Sequence, residues 1–581
     1  MLNNIRSYFY NFKRFQRPLE RYFFPVVLLL YPLIGVNQGI DISDTMYSLT
    51  NYEYMGNLDP MWLFSTYLSN VFGKLIMLLP GAGTMLGFSI YCSFITSAIA
   101  LIAYYCLQRF MPGWMIFIGE FIAESICFCP RVILYNYLTY LLFTVGTILL
   151  IHGILQWQRQ NLFLFLAGIC FGLNVLVRFP NIVETAMILA LWFYGLITKD
   201  RLVEVLKRTG ICILGFLAGM LGPIAIISIK YGFMAYPNMI ISLFGMTEGA
   251  SDYSGGGMIA LIVEAYLTTL SDMVIMLPCI AAGIIMFMLL PKRYVLIKKL
   301  LFIGGLLVLI RYYFAIGVIT RNYYYYDSMF QLAMMFIIAG IVLSVTGSLG
   351  LLNGSKEEQT LSFVTLLLIL VTPIGSNNYT FPILNNLFII APIVLWLFRR
   401  MIQRAGEADY NFAWESTITA VIIALFIQGT LFHVGYSFVD GADGTPRDST
   451  VSVDKLSGMI TTQYNAQSLD ELKDALEKAD LLQTKVILFG GIPGISYMFD
   501  MEPAINTAWP DLDSYSIDKF DSQLMELNAS DNATPTVIVS KEMADYSLVG
   551  AKYDILLDYI ANHDYNKIFE SERFIVFAES K

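Results

Sequence analysis

The chain has 581 residues, 57% hydrophobic and 14% charged, with a formal net charge of −9. A soluble chain of this length carries about a quarter charged residues, so the composition excludes an ordinary soluble enzyme and predicts a polytopic α-helical membrane protein. The acid is concentrated at the end, where Asp and Glu outnumber the 11 Lys and Arg from His433 onward; no basic stretch points to nucleic acid.

Basic residues fill the first 21 positions, and the first apolar run, 22–36, has no small-residue cleavage site after it. It reads as a retained anchor, not a cleaved signal. Further apolar runs lie near 83–107, 113–130, 132–153, 161–177, 181–197, 210–229, 267–290, 297–318, 328–349, 359–373, 381–398 and 414–431. By the criterion of about 20 residues per crossing, that predicts about 13 spans, with 113–130 and 359–373 short for a full one. The stretch 63–79, with Lys74 inside and Pro80-Gly81 after it, predicts a helix lying in the interface.

Charge bias orients these spans. Connections on the side of the N-terminus hold 19 Lys/Arg, and the opposite side, before the tail, holds five: Lys74, Arg131, Arg178, Lys230 and Arg321. The N-terminus is therefore expected in the cytoplasm and the tail outside. Residues 1–432 form the expected transmembrane domain, with a first outer loop at 37–80, and 433–581 an extracytoplasmic α/β domain. In that tail, 468–479 and 552–563 have helical spacing, while 484–490, 536–540 and 573–577 read as strands. All seven cysteines precede the tail, so no disulfide framework is expected there, and three separated histidines offer no His-based metal site.

The outer connections carry the distinctive residues. Asp41 and Asp44, three positions apart in Gln38-Gly39-Ile40-Asp41-Ile42-Ser43-Asp44-Thr45-Met46-Tyr47, follow the first span directly. Two carboxylates are costly beside hydrocarbon and suit a wet cavity; either also suits an N-cap for a helix through 46–54. Arg131, Arg178 and Arg321 each end a span on the cation-poor face. A guanidinium offers paired donors to phosphate, and an isolated one also snorkels to headgroups. Tyr324 and Tyr326, within Tyr323-Tyr324-Tyr325-Tyr326-Asp327, fit a pocket rim or an aromatic belt. Asn377 and Asn378 follow a Thr-Pro turn and fit a substrate contact or a helix cap. The loop 248–257, rich in Gly, fits a lid or a solvated connection. No Gly-x-Ser-x-Gly elbow or Gly-rich nucleotide loop is present.

An acidic first outer loop behind one span, with Asp44-Thr45 and then Tyr47, resembles the GT-C superfamily of membrane glycosyltransferases, which includes protein O-mannosyltransferases and lipid A aminoarabinose transferases. The tail segments 489–494 and 509–515 are similar to tails of uncharacterised bacterial members. The resemblance implies a multi-pass bacterial cytoplasmic-membrane enzyme that takes a sugar from a polyprenyl-phosphate donor. The acceptor would be a glycan, lipid or protein at the outer face, with inversion at the anomeric carbon. It implies Asp44 as base with Asp41 in support, Arg131, Arg178 and Arg321 on the donor phosphate, and Tyr47, Tyr324, Tyr326, Asn377 and Asn378 in the pocket. Use of a divalent cation stays open. The competing classes are a lipid-linked glycan transporter, an outer-face glycan polymerase and a membrane scaffold for the tail; a transporter predicts charged mid-membrane sites in paired halves.

Overall fold

The computed structural model describes residues 16–579 apart from 128–129, 157, 248–254, 322, 324–327, 408–413, 437–439, 442–443, 530–533 and 544–546. Tyr324, Tyr326, Asp327 and most of the 248–257 loop therefore lie outside the described residues.

A helix occupies every apolar run read from the sequence. Among the described residues, seven, or eight if one bent pair is a single span, are long and apolar enough to cross a membrane. The others are short, interrupted or, like the 21-residue helix Val295–Ala315 with Lys298, Lys299 and Arg311, too charged. The first run is a π turn Leu19–Phe23, a helix Phe24–Leu30 and a 3-10 turn Tyr31–Leu33; Pro25 and Pro32 lack the N–H groups that a continuous ladder needs. The run at 181–197 opens as a ten-residue 3-10 stretch, Phe179–Ile188, before the helix Leu189–Thr198. The run at 267–290 belongs to the bent pair, Gly256–Met273 and Met276–Leu289, at 44°.

Helix Gln160–Val177 is central, packed between Leu134–Leu155 and Leu202–Tyr231. Small residues let the backbones of Gln160–Val177 and Leu202–Tyr231 touch. A Cβ on Gly168 would fall 2.1 Å from the Cys212 carbonyl, and one on Gly215 would fall 2.0 Å from that of Phe165. Without a hydrophobic drive between helices in lipid, such close van der Waals contact holds them together. Glu120 and Glu124, on helix Gly113–Ile126, are fully buried with no hydrogen-bond partner for their carboxylate oxygens. Glu184 instead takes 2.8 Å hydrogen bonds from the Asn174 amide, part of a buried network with Asn181 and Thr139.

The tail folds around a four-stranded sheet in the order β1-β2-β4-β3: β1 Val486–Phe489, β2 Thr536–Ser540, β3 Tyr565–Glu570 and β4 Phe574–Glu579. β1 and β2 are parallel, and both pairs involving β4 are antiparallel. The sequence reading missed β3, because an exposed edge strand needs no apolar run. It also began the first tail helix too late. That helix is Gln463–Lys478, capped by the Thr462 hydroxyl on the Asn465 N–H. Helix Ser547–Ala561 likewise begins five residues before the expected 552.

The tail docks on the first loop. Ile40, Ile42, Met46 and Leu49 share one buried apolar cluster with Leu488, Ile492, Ile495 and Met498. Polar contacts frame it: Lys455 pairs with Glu53 at 2.7 Å and Asp500 at 2.5 Å, and Lys519 with Asp59 at 3.2 Å. The loop grips the membrane helices through Tyr52, whose hydroxyl donates to the Val132 carbonyl (3.2 Å) and accepts from the Leu134 N–H (3.0 Å).

Candidate functional site

Asp41 is held by the chain on either side of it. Just before it, Gly39 donates its N–H to the Ile460 carbonyl at 2.9 Å, and Ile460 donates to Asn37 at 2.9 Å. After it, the chain turns into the helix Asp44–Glu53. One oxygen of Asp41 accepts from the Ser43 N–H (3.0 Å) and hydroxyl (2.6 Å), and the other from the Thr45 N–H (2.7 Å). Asp41 thus does the capping, satisfying a free N–H in the first turn. It is 2% exposed. Burial pushes its carboxyl above the usual range, and those hydrogen bonds pull the other way.

Asp44 is the first helical residue and reaches solvent, although protein crowds it on most sides. Burial, and then the charge of Asp41, lift its pKa to about 7. Tyr47, one turn on, meets Trp509 of the tail edge to face at 5.4 Å.

Two cavities meet at Asp41. The first, about 70 Å³, lies against the membrane helices and is lined by Asp41, Thr45, Ser125, Arg131 and His433 among others. The second, about 600 Å³, opens into the tail and is again lined by Asp41, with Ser43. Asp44 lines neither.

The three arginines separate. Arg131 sits in the turn after Pro130 and gives one guanidinium nitrogen to the Ile34 carbonyl at 3.1 Å; its Nη1 is buried without a hydrogen-bond partner. A buried unpaired donor is costly and suits an anionic ligand, and Arg131 lines the cavity that holds Asp41. Arg178 ends helix Gln160–Val177, lies over the Tyr135 ring and donates to the Gly375 carbonyl at 3.1 Å. It is thereby tied to the connection that carries half-buried Asn377 and exposed Asn378, whose own N–H donates to the Ser376 hydroxyl. Arg321 is exposed beside the Phe314 ring. Arg131 thus shares a cavity with Asp41, and Arg178 and Arg321 line neither cavity.

Sequence reasoning passed over His433, which had no motif around it. Its ring stacks on Tyr31 at 4.4 Å, with one ring nitrogen 3.2 Å from the Tyr31 carbonyl; the Tyr31 hydroxyl bonds to Ser125 at 2.7 Å. Its position at the end of the last apolar run was the one available signal. Among the described residues, no three His, Cys, Asp or Glu side chains are grouped as metal ligands. A divalent cation at the two aspartates would compete with three donors already on Asp41.

No protein-family model matches the chain, and no curated protein matches it. Among solved structures, it is similar to the archaeal oligosaccharyltransferase AglB from Archaeoglobus fulgidus in complex with an inhibitory peptide and a dolichol-phosphate, at 12% identity, TM-score 0.48, over 98% of this chain and 75% of that one. It is similar to the Archaeoglobus fulgidus oligosaccharyltransferase in complex with Zn and sulfate, at 13% identity, TM-score 0.46, over 94% and 71%. ArnT from Cupriavidus metallidurans bound to undecaprenyl phosphate aligns at 11% identity, TM-score 0.41, over 95% and 96%. AglB and ArnT are GT-C superfamily members. At TM-scores below 0.5, no alignment transfers a residue or an activity to this chain.

Proposed function

We propose that the chain is a membrane glycosyltransferase that moves a sugar from a polyprenyl-phosphate donor to an acceptor hydroxyl at the outer face of the cytoplasmic membrane. The observation that carries this reading is one cavity lined by both Asp41 and Arg131, whose Nη1 has no hydrogen-bond partner among the described residues. The reaction needs both. The acceptor oxygen bonds to the anomeric carbon and its proton passes to a carboxylate. The bond from that carbon to the phosphate oxygen breaks, and the charge gathering on the departing lipid phosphate meets a cation already in place.

Cavity geometry favours Asp41 over Asp44 as the base, since Asp41 faces both cavities and Asp44 neither. Burial raises the proton affinity of Asp41, which suits a group that must take a proton. Its Ser43-bound oxygen already accepts two hydrogen bonds, and the oxygen bonded by the Thr45 N–H is the one with a lone pair to take the proton. Asp44 then acts through its charge on Asp41, and His433 and Ser125 line the donor side. Arg178, Arg321, Asn377, Asn378 and Tyr47 are retained as outer contacts for donor or acceptor, and N-in, tail-out orientation follows from the cation bias.

The test is transfer from radiolabelled polyprenyl-phosphate sugars to a panel of acceptors by the purified protein. Asp41→Asn should lose about 10²–10⁴ in rate, as removal of a general base does, and Asp44→Asn should lose less. Native-rate transfer by a folded Asp41→Asn sample would sink the reading.

A further inference from the structure

We infer that the tail carries a carbohydrate-binding cleft, and that the acceptor in the reaction proposed above is a hydroxyl of a neutral glycan held there. The second half rests on that reaction; the cleft itself does not.

The cavity of about 600 Å³ lies where the parallel strands β1 and β2 end. The carboxyl ends of parallel strands are where an open α/β sheet leaves a crevice. Gly490 follows β1 at φ +95°, and a Cβ there would lie 2.8 Å from that of Ser540, just past the end of the facing register. Only glycine lets the two strand ends come so close. The next residue, Gly491, donates its N–H to Asp511 at 2.8 Å, fixing that carboxylate on the wall.

The lining chemistry selects the ligand. Among the described residues, Asp511, Asp513, Glu542 and Asp41 line the cleft against a single lining cation, Arg573. That guanidinium is engaged by Glu542 at 2.9 Å and Asn465 at 2.6 Å. Lys552, behind the wall, donates to the Leu512 carbonyl at 2.9 Å. A phosphate or uronic acid would meet repulsion here. Carboxylates are acceptors for hydroxyl donors, and the lining residue Trp509 brings a flat apolar ring for the C–H side of a sugar. An extended peptide would instead add to a sheet edge. The β1 edge is already covered at Val486, which donates to Glu502 at 2.9 Å and accepts from Ala504 at 2.8 Å, and the other edge strand, β3, contributes no residue to the cleft. Asp41 and Ser43 complete the cleft from the loop side, so a glycan lying in it ends at the proposed base.

The experiment applies detergent-purified full-length protein to an array of neutral, amino-bearing and acidic oligosaccharides, with peptides printed alongside. Neutral oligosaccharides should be retained. Trp509→Ala and Asp513→Asn should each lower retention at least tenfold at an unchanged unfolding temperature; Asp513 is exposed, so its variant tests the cleft even if loss of Trp509 unsettles the fold. No neutral glycan retained, retention indifferent to Asp513→Asn, or retention of peptides alone overturns the inference. Sugar transfer is scored separately. Glycan retention without transfer leaves the cleft standing and removes the reaction, and transfer without glycan retention does the reverse.

Discussion

The backbone N–H of Gly494 donates to the carbonyl of Ile42 at 2.9 Å, joining the tail to the residue beside Asp41 across 452 positions of chain. A Cβ at Gly494 would stand 2.5 Å from that of Met46 and 2.6 Å from the Ile42 oxygen. The contact is backbone on backbone, so neither side can swing away.

Gly494→Ala should therefore loosen the tail from the first loop. Overpacking of a tight contact costs about 1–3 kcal/mol. Limited proteolysis should cut the variant faster than the native protein, with a lowered unfolding midpoint. An unchanged cleavage rate would mean that the loop yields and the interface is soft.

Arg131→Ala should weaken donor-phosphate binding by about 1.5–3 kcal/mol, the worth of a hydrogen bond to a charged group. Arg178→Ala should cost less, because Arg178 lines neither cavity. Arg321→Ala should cost least, since that side chain is exposed and outside both cavities. Titration of each variant with a fluorescent polyprenyl phosphate ranks them; equal losses in all three would put the phosphate elsewhere.

Stability should fall with pH through Asp44. Its carboxyl keeps the proton up to about pH 7 when folded and releases it near 3.8 when unfolded. Between those values the folded chain binds more protons, so this group's contribution declines as pH rises from about 4 to 7 and is flat above. Asp44→Asn removes the titration. The variant should match the native protein near pH 3.5 and exceed its unfolding midpoint at pH 7.5. Parallel melting curves across that window would contradict the raised pKa.

Orientation is checked by a reporter enzyme fused after Lys581, with activity expected only outside the cytoplasm. The expectation rests on the 19 to five division of Lys and Arg. Cytoplasmic activity would remove the outer face from the proposed reaction.

By itself, the sequence determined the helical membrane framework and its place in the chain, because burial in lipid demands long apolar runs whose backbone bonds close within each segment. It also located the acidic loop, since carboxylates next to such a run are rare enough to stand out. Strands β1, β2 and β4 were legible as apolar runs, and β3, exposed at the edge, was not. Only the tertiary structure decided how the polar residues divide. Asp41 and Asp44 are equivalent in sequence, and the turn at Ser43 buries one between two cavities while leaving the other at the surface. Arg131 and His433 lie 302 positions apart and line one cavity. Arg178 and Arg321 look like Arg131 in the sequence, yet neither of them lines that cavity. Such partners are set by long-range packing of helix ends and by the docking of the tail on the loop, and no local pattern of residue types encodes a contact made across hundreds of positions.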